Sequence, residues 1–100
     1  MTLEETTAQV QKLFSKAEGF ADTLAFDFGD DGLISVDGTK SPPEVSNQDI
    51  GPDCTISISM EDFFSILDGS LDPQMAFMSG KLSVDGNMGI AMNLAGVLKS

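Results

Sequence analysis

The chain reads as an α+β domain, an antiparallel or mixed sheet covered on one face by helices. Three observations carry that reading. Apolar residues recur at two periods, every second residue in some segments and at three-to-four spacing in others. The two kinds of segment are punctuated by Gly, Pro, Asp and Asn, and follow one another as α-β-β-β-α-α-β-α. The alternating segments are apolar on one side only, so the sheet has one wet face and the helices gather on the other.

Residues 3–19 form the first helix, because Val10, Leu13, Phe14 and Ala17 fall on one stripe. Glu4 and Glu5 suit its positive end, Lys12 and Lys16 lie toward its negative end, and Gly19 stops it. Leu24, Phe26 and Phe28 then alternate with Thr23, Ala25 and Asp27 as a first strand. Gly29-Asp30-Asp31-Gly32 makes a hairpin turn, and Ile34 and Val36 are the buried side of a second strand that ends at Asp37-Gly38. Residues 39–53 read as loop, punctuated by Pro42, Pro43, Gly51 and Pro52.

Cys54, Ile56, Ile58 and Met60 alternate with Thr55, Ser57 and Ser59 as a third strand. Ser59 with Asp62 three residues on resembles a capping box and opens a helix over about 60–68, whose stripe is Met60, Phe63, Phe64 and Leu67 and whose stop is Gly69. Asp72-Pro73 starts a short helix that Gly80 ends. Lys81–Asp85 is a fourth strand with Leu82 and Val84 inward. Asn87 caps the last helix, which is apolar on two faces: Met88, Ala91, Met92, Ala95 and Leu98 on one, Ile90, Leu94 and Val97 on the other. A helix apolar over so much of its girth should be covered on most sides.

One hundred residues suit a single domain over 1–100, and a 41% hydrophobic fraction suits a folded chain. The net charge of −11 argues against nucleic acid, which needs Lys and Arg against phosphate, and against bulk attraction to an anionic bilayer. That charge is uneven. Residues 1–71 hold 14 acids and 3 lysines, whereas 72–100 hold Asp72, Asp85, Lys81 and Lys99 and are neutral. A solubilising acidic body thus adjoins a neutral, apolar C-terminal third. The lone Cys54 excludes an internal disulfide, the polar start is unlike a signal peptide, and the eleven-residue apolar run Met88–Leu98 is shorter than the about 20 residues of a spanning helix. A reducing cytoplasm is the expected setting, and the final Leu98-Lys99-Ser100 is not a peroxisomal address.

Residues for catalysis or metal ligation are sparse. Without histidine the commonest general base is missing, and with one cysteine neither zinc nor an iron–sulfur cluster has a ligand set. Cys54 falls on the apolar side of a strand, as a buried inert thiol does. Counted from Asp27, a calcium loop would place Gly29 at position 3 and Gly38 at position 12, where acids belong, so Asp27, Asp30 and Asp31 read as turn residues. Gly80-Lys81 imitates the end of a phosphate loop, yet Met75 stands for its first glycine, Leu82 follows the lysine, and a strand comes next. Glu61-Asp62 and Asp30-Asp31 are neighbours in sequence rather than groups facing across a cleft. No cofactor or metal is expected.

What remains is apolar: the Met60, Phe63, Phe64, Leu67 stripe, a Met75, Phe77, Met78 cluster, and the Met88, Met92 face. Periodicity alone reads these as core. Methionine is also the adaptable side chain of promiscuous apolar binding surfaces.

Asp72 through Leu82 (DPQMAFMSGKL) followed by Val84 through Leu94 (VDGNMGIAMNL) resembles the C-terminal half of the sterol carrier protein-2 (SCP2) lipid-transfer family. Asp53–Phe63 matches as well, as do Phe26–Ile34 and Val36–Gly38, in the manner of small bacterial single-domain members. The resemblance covers roughly residues 20–98 and implies an SCP2-like sheet whose helices enclose an apolar tunnel. It implies a soluble lipid carrier holding fatty acid, fatty acyl-CoA, phospholipid or sterol without covalent chemistry, and so not an enzyme. Transient membrane contact would serve loading and release. Carried onto this chain, the lining candidates are Phe63, Phe64, Leu67, Met75, Phe77, Met78, Leu82, Met88, Ala91, Met92 and Ala95. Gln74, Asn87 and Asn93 are the nearest head-group contacts, although capping is the commoner role for Asn87. The chain stops soon after its last helix, without the longer tail of animal members, which weighs against sterol itself. Two other readings compete: a protein-interaction or homodimerisation module using the last helix, and an accessory domain presenting lipid to an enzyme.

Overall fold

A computed structural model describes residues 2–15, 21–40 and 43–99, with the backbone alone over 95–99. The predicted Ala17 and Gly19 of the first helix, and the side chains of Ala95, Val97 and Leu98, lie outside the described residues. Helix α1 (Leu3–Ser15) leads to strands β1 (Thr23–Asp27), β2 (Leu33–Asp37), β3 (Glu44–Ser46) and β4 (Cys54–Ile58). Helices α2 (Met60–Leu67) and α3 (Pro73–Met78), strand β5 (Leu82–Gly86) and helix α4 (Met88–Lys99) follow.

The strands form one mixed sheet in the order β3-β2-β1-β4-β5. Among the described residues only β1 and β4 pair in parallel; the other neighbours are antiparallel. Register aligns the alternation across the sheet. Phe26 lies opposite Ile34 and Ile56, and Ile56 opposite Val84. One face therefore carries Leu24, Phe26, Ile34, Val36, Cys54, Ile56, Ile58 and Leu82, all buried, against Val10 and Phe14 of α1, Phe63 and Ile66 of α2, and Ile90 and Leu94 of α4.

Four expectations change. Residues 39–53 are not all loop, because Glu44–Ser46 pairs with Asp37–Ser35 as an edge strand. Its three residues are too few to display a period, and Val45 is its one inward apolar side chain. The wet face is partly covered: Ala25 and Ser35 are buried, and the Ser35 hydroxyl donates to the Gln48 carbonyl of the loop that crosses it. On α2 the buried residues are Phe63 and Ile66, while Met60, Phe64 and Leu67 are half-buried. The face has turned toward Ile66, which the sequence stripe omitted. Finally, α4 is not covered on most sides, since Ile90 and Leu94 are buried but Met92 is 74% exposed.

Local chemistry holds these elements in place. Thr2 and Glu5 close a reciprocal capping box at α1: Thr2 Oγ1 accepts from Glu5 N and Glu5 Oε1 accepts from Thr2 N, each at 3.2 Å. The Thr2 N–H, and the Thr2 hydroxyl that also donates to Glu5 Oε1 at 3.1 Å, hold the Glu5 carboxyl below its ordinary pKa. The Asp27 carboxylate accepts the Gly29 N–H at 2.8 Å, an Asx-type turn bond. At α2 the Ser59 hydroxyl accepts the Asp62 N–H at 3.1 Å. Ser59→Ala should therefore lower stability by about 1 kcal/mol, read from urea unfolding. An unchanged midpoint would show that the cap contributes nothing.

Candidate functional site

An apolar cleft of about 340 Å³ opens between α3, the β4–β5 edge and α4. Its sheet wall is Ile56, Leu82 and Val84, aimed the same way because register sets Ile56 opposite Val84 and Ile58 opposite Leu82. Its α3 wall is Pro73, Gln74 and Phe77. Its α4 wall is Met88, Ala91, Met92 and Leu94. Leu94 and Ile90 lock α4 to the core, which leaves Met88, Ala91 and Met92 on the adjacent face over the cleft.

Each wall is positioned by identifiable bonds. Asp72 Oδ1 accepts the Gln74 N–H at 2.8 Å, and Pro73 fills the first helical position of α3. Ala76 is fully buried, and its carbonyl accepts the Lys81 N–H at 2.9 Å, so the chain turns from α3 into β5 through Gly80 at φ +80°. At α4, Asn87 Oδ1 accepts the Gly89 N–H at 2.8 Å, and the Asn87 N–H donates to the Asp53 carbonyl at 3.0 Å. Asn87 thus serves as a cap that also ties α4 to the start of β4.

Of the lining candidates, the structure brings Phe77, Leu82, Met88, Ala91 and Met92 together on the cleft. Phe63 sits in the core, its ring 4.9 Å from that of Phe26 and 5.3 Å from that of Phe28. Phe64 and Leu67 are half-buried on α2, away from the cleft walls. Met75 and Met78 lie on the outer side of α3, exposed. Ala95 carries a side chain outside the described residues. Of the head-group candidates Gln74 is on the wall, while Asn93 is exposed and off it. Sequence reasoning missed Ile56, Pro73, Val84 and Leu94 as lining. Ile56 and Val84 were legible as inward residues, but only the β4–β5 register shows that they back onto a cleft. The described residues form a cleft, and a tunnel closed on all sides is not shown.

The chemistry available here is burial. Cys54 is buried beside the sheet wall, and desolvation first, then the Asp85 charge, raises its thiol pKa, which keeps it protonated. Among the described residues no group of three or more metal-ligating side chains could hold an ion, and no helix is long and apolar enough to cross a membrane.

The model of the SCP-2 sterol transfer family matches residues 3–99. Over 48 residues the chain is 48% identical to sterol carrier protein 2 of Homo sapiens, a match covering 48% of this chain and 9% of that protein. The match thus spans less than a tenth of that relative's length. The solution structure of the sterol carrier protein domain 2 of Helicoverpa armigera superposes with a TM-score of 0.67 at 28% identity, over 96% of this chain and 78% of that one. Palmitated SCP2L2 from Aedes aegypti gives a TM-score of 0.73 at 20% identity, over 100% and 96%, a likeness of fold.

Proposed function

Because the chain belongs to the SCP-2 sterol transfer family over residues 3–99, we propose that it binds lipid reversibly in the α3–β5–α4 cleft and carries it between membranes or to an enzyme. The observation that carries this reading is the cleft lining, in which nine of ten residues are apolar. Ligand sites are mostly apolar with few polar anchors and hold about 300–1,000 Å³. At about 340 Å³ the cleft lies at the low end, which favours a single aliphatic chain over a two-chain phospholipid or a sterol. Burying each methylene contributes about 0.8 kcal/mol, so several supply useful affinity with no covalent step. Loading requires contact with a bilayer. Phe77, Met88 and Met92, exposed on the cleft walls, and Met75 and Met78, exposed on the outer side of α3, support that contact. The proposed setting is cytoplasmic, in keeping with one buried thiol and an acidic body.

Native mass spectrometry of the protein purified from cytosol should show bound lipid that organic solvent removes. Micromolar lipid should displace the uncharged dye Nile red. No bound lipid together with no displacement would end the carrier reading. Met92→Glu should fold normally, since Met92 is 74% exposed, and weaken lipid binding by about tenfold or more, because a carboxylate at the wall must be desolvated when a chain enters. Retained binding would place the lipid elsewhere.

A further inference from the structure

We propose that Met88 and Met92, on the α4 wall of the cleft, form a sulfoxidation site, and that their oxidation by a peroxide releases the lipid. This rests on the proposal that the cleft binds lipid. Four of the chain's six methionines are exposed, Met88 by 47%, Met75 by 60%, Met92 by 74% and Met78 by 77%. Methionine is normally among the buried residue types, so this is a dense display of accessible thioethers. The four divide by position. Met88 and Met92 stand four residues apart on α4, neighbours on one helix face, and both line the cleft. Met75 and Met78 lie on the outer side of α3, off the cleft wall.

In the reaction a thioether sulfur attacks one oxygen of hydrogen peroxide, and the S–O bond forms as the O–O bond breaks. Sulfur is oxidised by two electrons and the peroxide is reduced. The departing hydroxide takes up the proton of the transferred oxygen and leaves as water. The competing sulfur, Cys54, is buried, and desolvation followed by the Asp85 charge raises its thiol pKa, so little reactive thiolate meets the oxidant. The product replaces an apolar, adaptable side chain with a polar, hydrogen-bond-accepting sulfoxide. At Met88 and Met92 an acyl chain lying on the wall must strip the water that the sulfoxide oxygens hold, which opposes its burial. At Met75 and Met78 the sulfoxides face solvent and leave the wall unchanged. The fold should tolerate all four, because Ile90 and Leu94 lock α4 to the core and the buried Ala76 anchors α3.

The test treats the delipidated full chain with hydrogen peroxide, maps the sulfoxides by peptide mass spectrometry, and compares Nile red binding of each protein with that of its own untreated form. Oxidised parent should bind about tenfold more weakly, the scale of one polar group desolvated without a partner, and should keep its melting transition. Met88→Leu with Met92→Leu should abolish the loss on treatment. Met75→Leu with Met78→Leu should leave it as large as in the parent. Methionine sulfoxide reductases for both epimers should restore the parent, their dithiol reductant becoming a disulfide as the oxygen leaves as water. Parent that carries sulfoxide at Met88 and Met92 yet binds the dye as before overturns the inference. So does a loss abolished by the Met75 and Met78 substitutions, a loss that the reductases do not reverse, or a loss accompanied by unfolding. Met88 and Met92 that stay reduced while Met75 and Met78 react overturn it as well. If the untreated parent neither binds the dye nor copurifies with lipid, the carrier reading itself fails and the sulfoxidation site falls with it.

Discussion

Phe63→Ala should lose about 3–5 kcal/mol of unfolding free energy, a large share of the about 5–15 kcal/mol that stabilises an ordinary domain. Phe63 is 1% exposed, and its ring contacts those of Phe26, Phe28 and Phe64. Truncation removes the transfer free energy of a buried ring and leaves a cavity. The backbone cannot collapse into it, because β1 lies between β2 and β4 and is paired to both. The edge-tilted contacts with Phe26 and Phe28 are lost as well, at about 0.5–1.5 kcal/mol per aromatic pair beyond area. Urea unfolding followed by circular dichroism measures the effect as a lower midpoint at unchanged slope. A loss below about 1 kcal/mol would mean that Phe63 borders open space, as a lining residue does, rather than packed core.

Gly86→Ala should cost about 3 kcal/mol or more, for two reasons that add. Gly86 has φ +107°, in the region that L side chains avoid, at about 1–3 kcal/mol. A Cβ there would also stand 2.3 Å from the Asp53 carbonyl oxygen, and forcing apart a packed contact costs about 1–3 kcal/mol more. That carbonyl has nowhere to go. It accepts the Asn87 N–H at 3.0 Å, and the Asp53 N–H is held by Thr23 Oγ1, also at 3.0 Å. Gly69, by contrast, has nothing within 4 Å of the equivalent point, so its substitution meets the φ strain alone. Since the same joint sets the start of α4, Gly86→Ala protein that still folds should also bind lipid weakly. A melting temperature within a degree or two of the parent's would show that the β4–β5 joint yields.

Alternation at Leu24, Phe26, Ile34, Val36, Cys54, Ile56 and Ile58 gave the core face of the sheet, because each strand buries one side and the period is two. Ser59, Asp72 and Asn87 were legible as caps, since capping is local chemistry. What failed was everything set by non-local packing. Glu44–Ser46 is a strand only because β2 is there to pair with it. Phe63 and Met75 looked alike as candidates for a lipid wall, yet one is core and the other is 60% exposed. Helical spacing says which residues share a face, and only the neighbouring elements decide whether that face meets protein, a cleft or water. Five of the eleven lining candidates reach the cleft wall. Those five come from α3, β5 and α4, the contiguous segment that carries the family resemblance.

The parallel pairing, β1 beside β4, also governs how the chain can be assembled as it leaves the ribosome. The β1–β2–β3 meander is complete once Ser46 has emerged, but one edge of β1 then has no neighbour, and Phe26 and Phe28 have no α2 to shelter them. Both wait for Cys54 through Phe63 to be synthesised. Until β4 is made, that edge of β1 is an unpaired strand edge. Asp27 closes that strand and Asp30 and Asp31 follow in the turn, so three acids sit at the end of the exposed edge, the kind of charge that opposes edge-to-edge association.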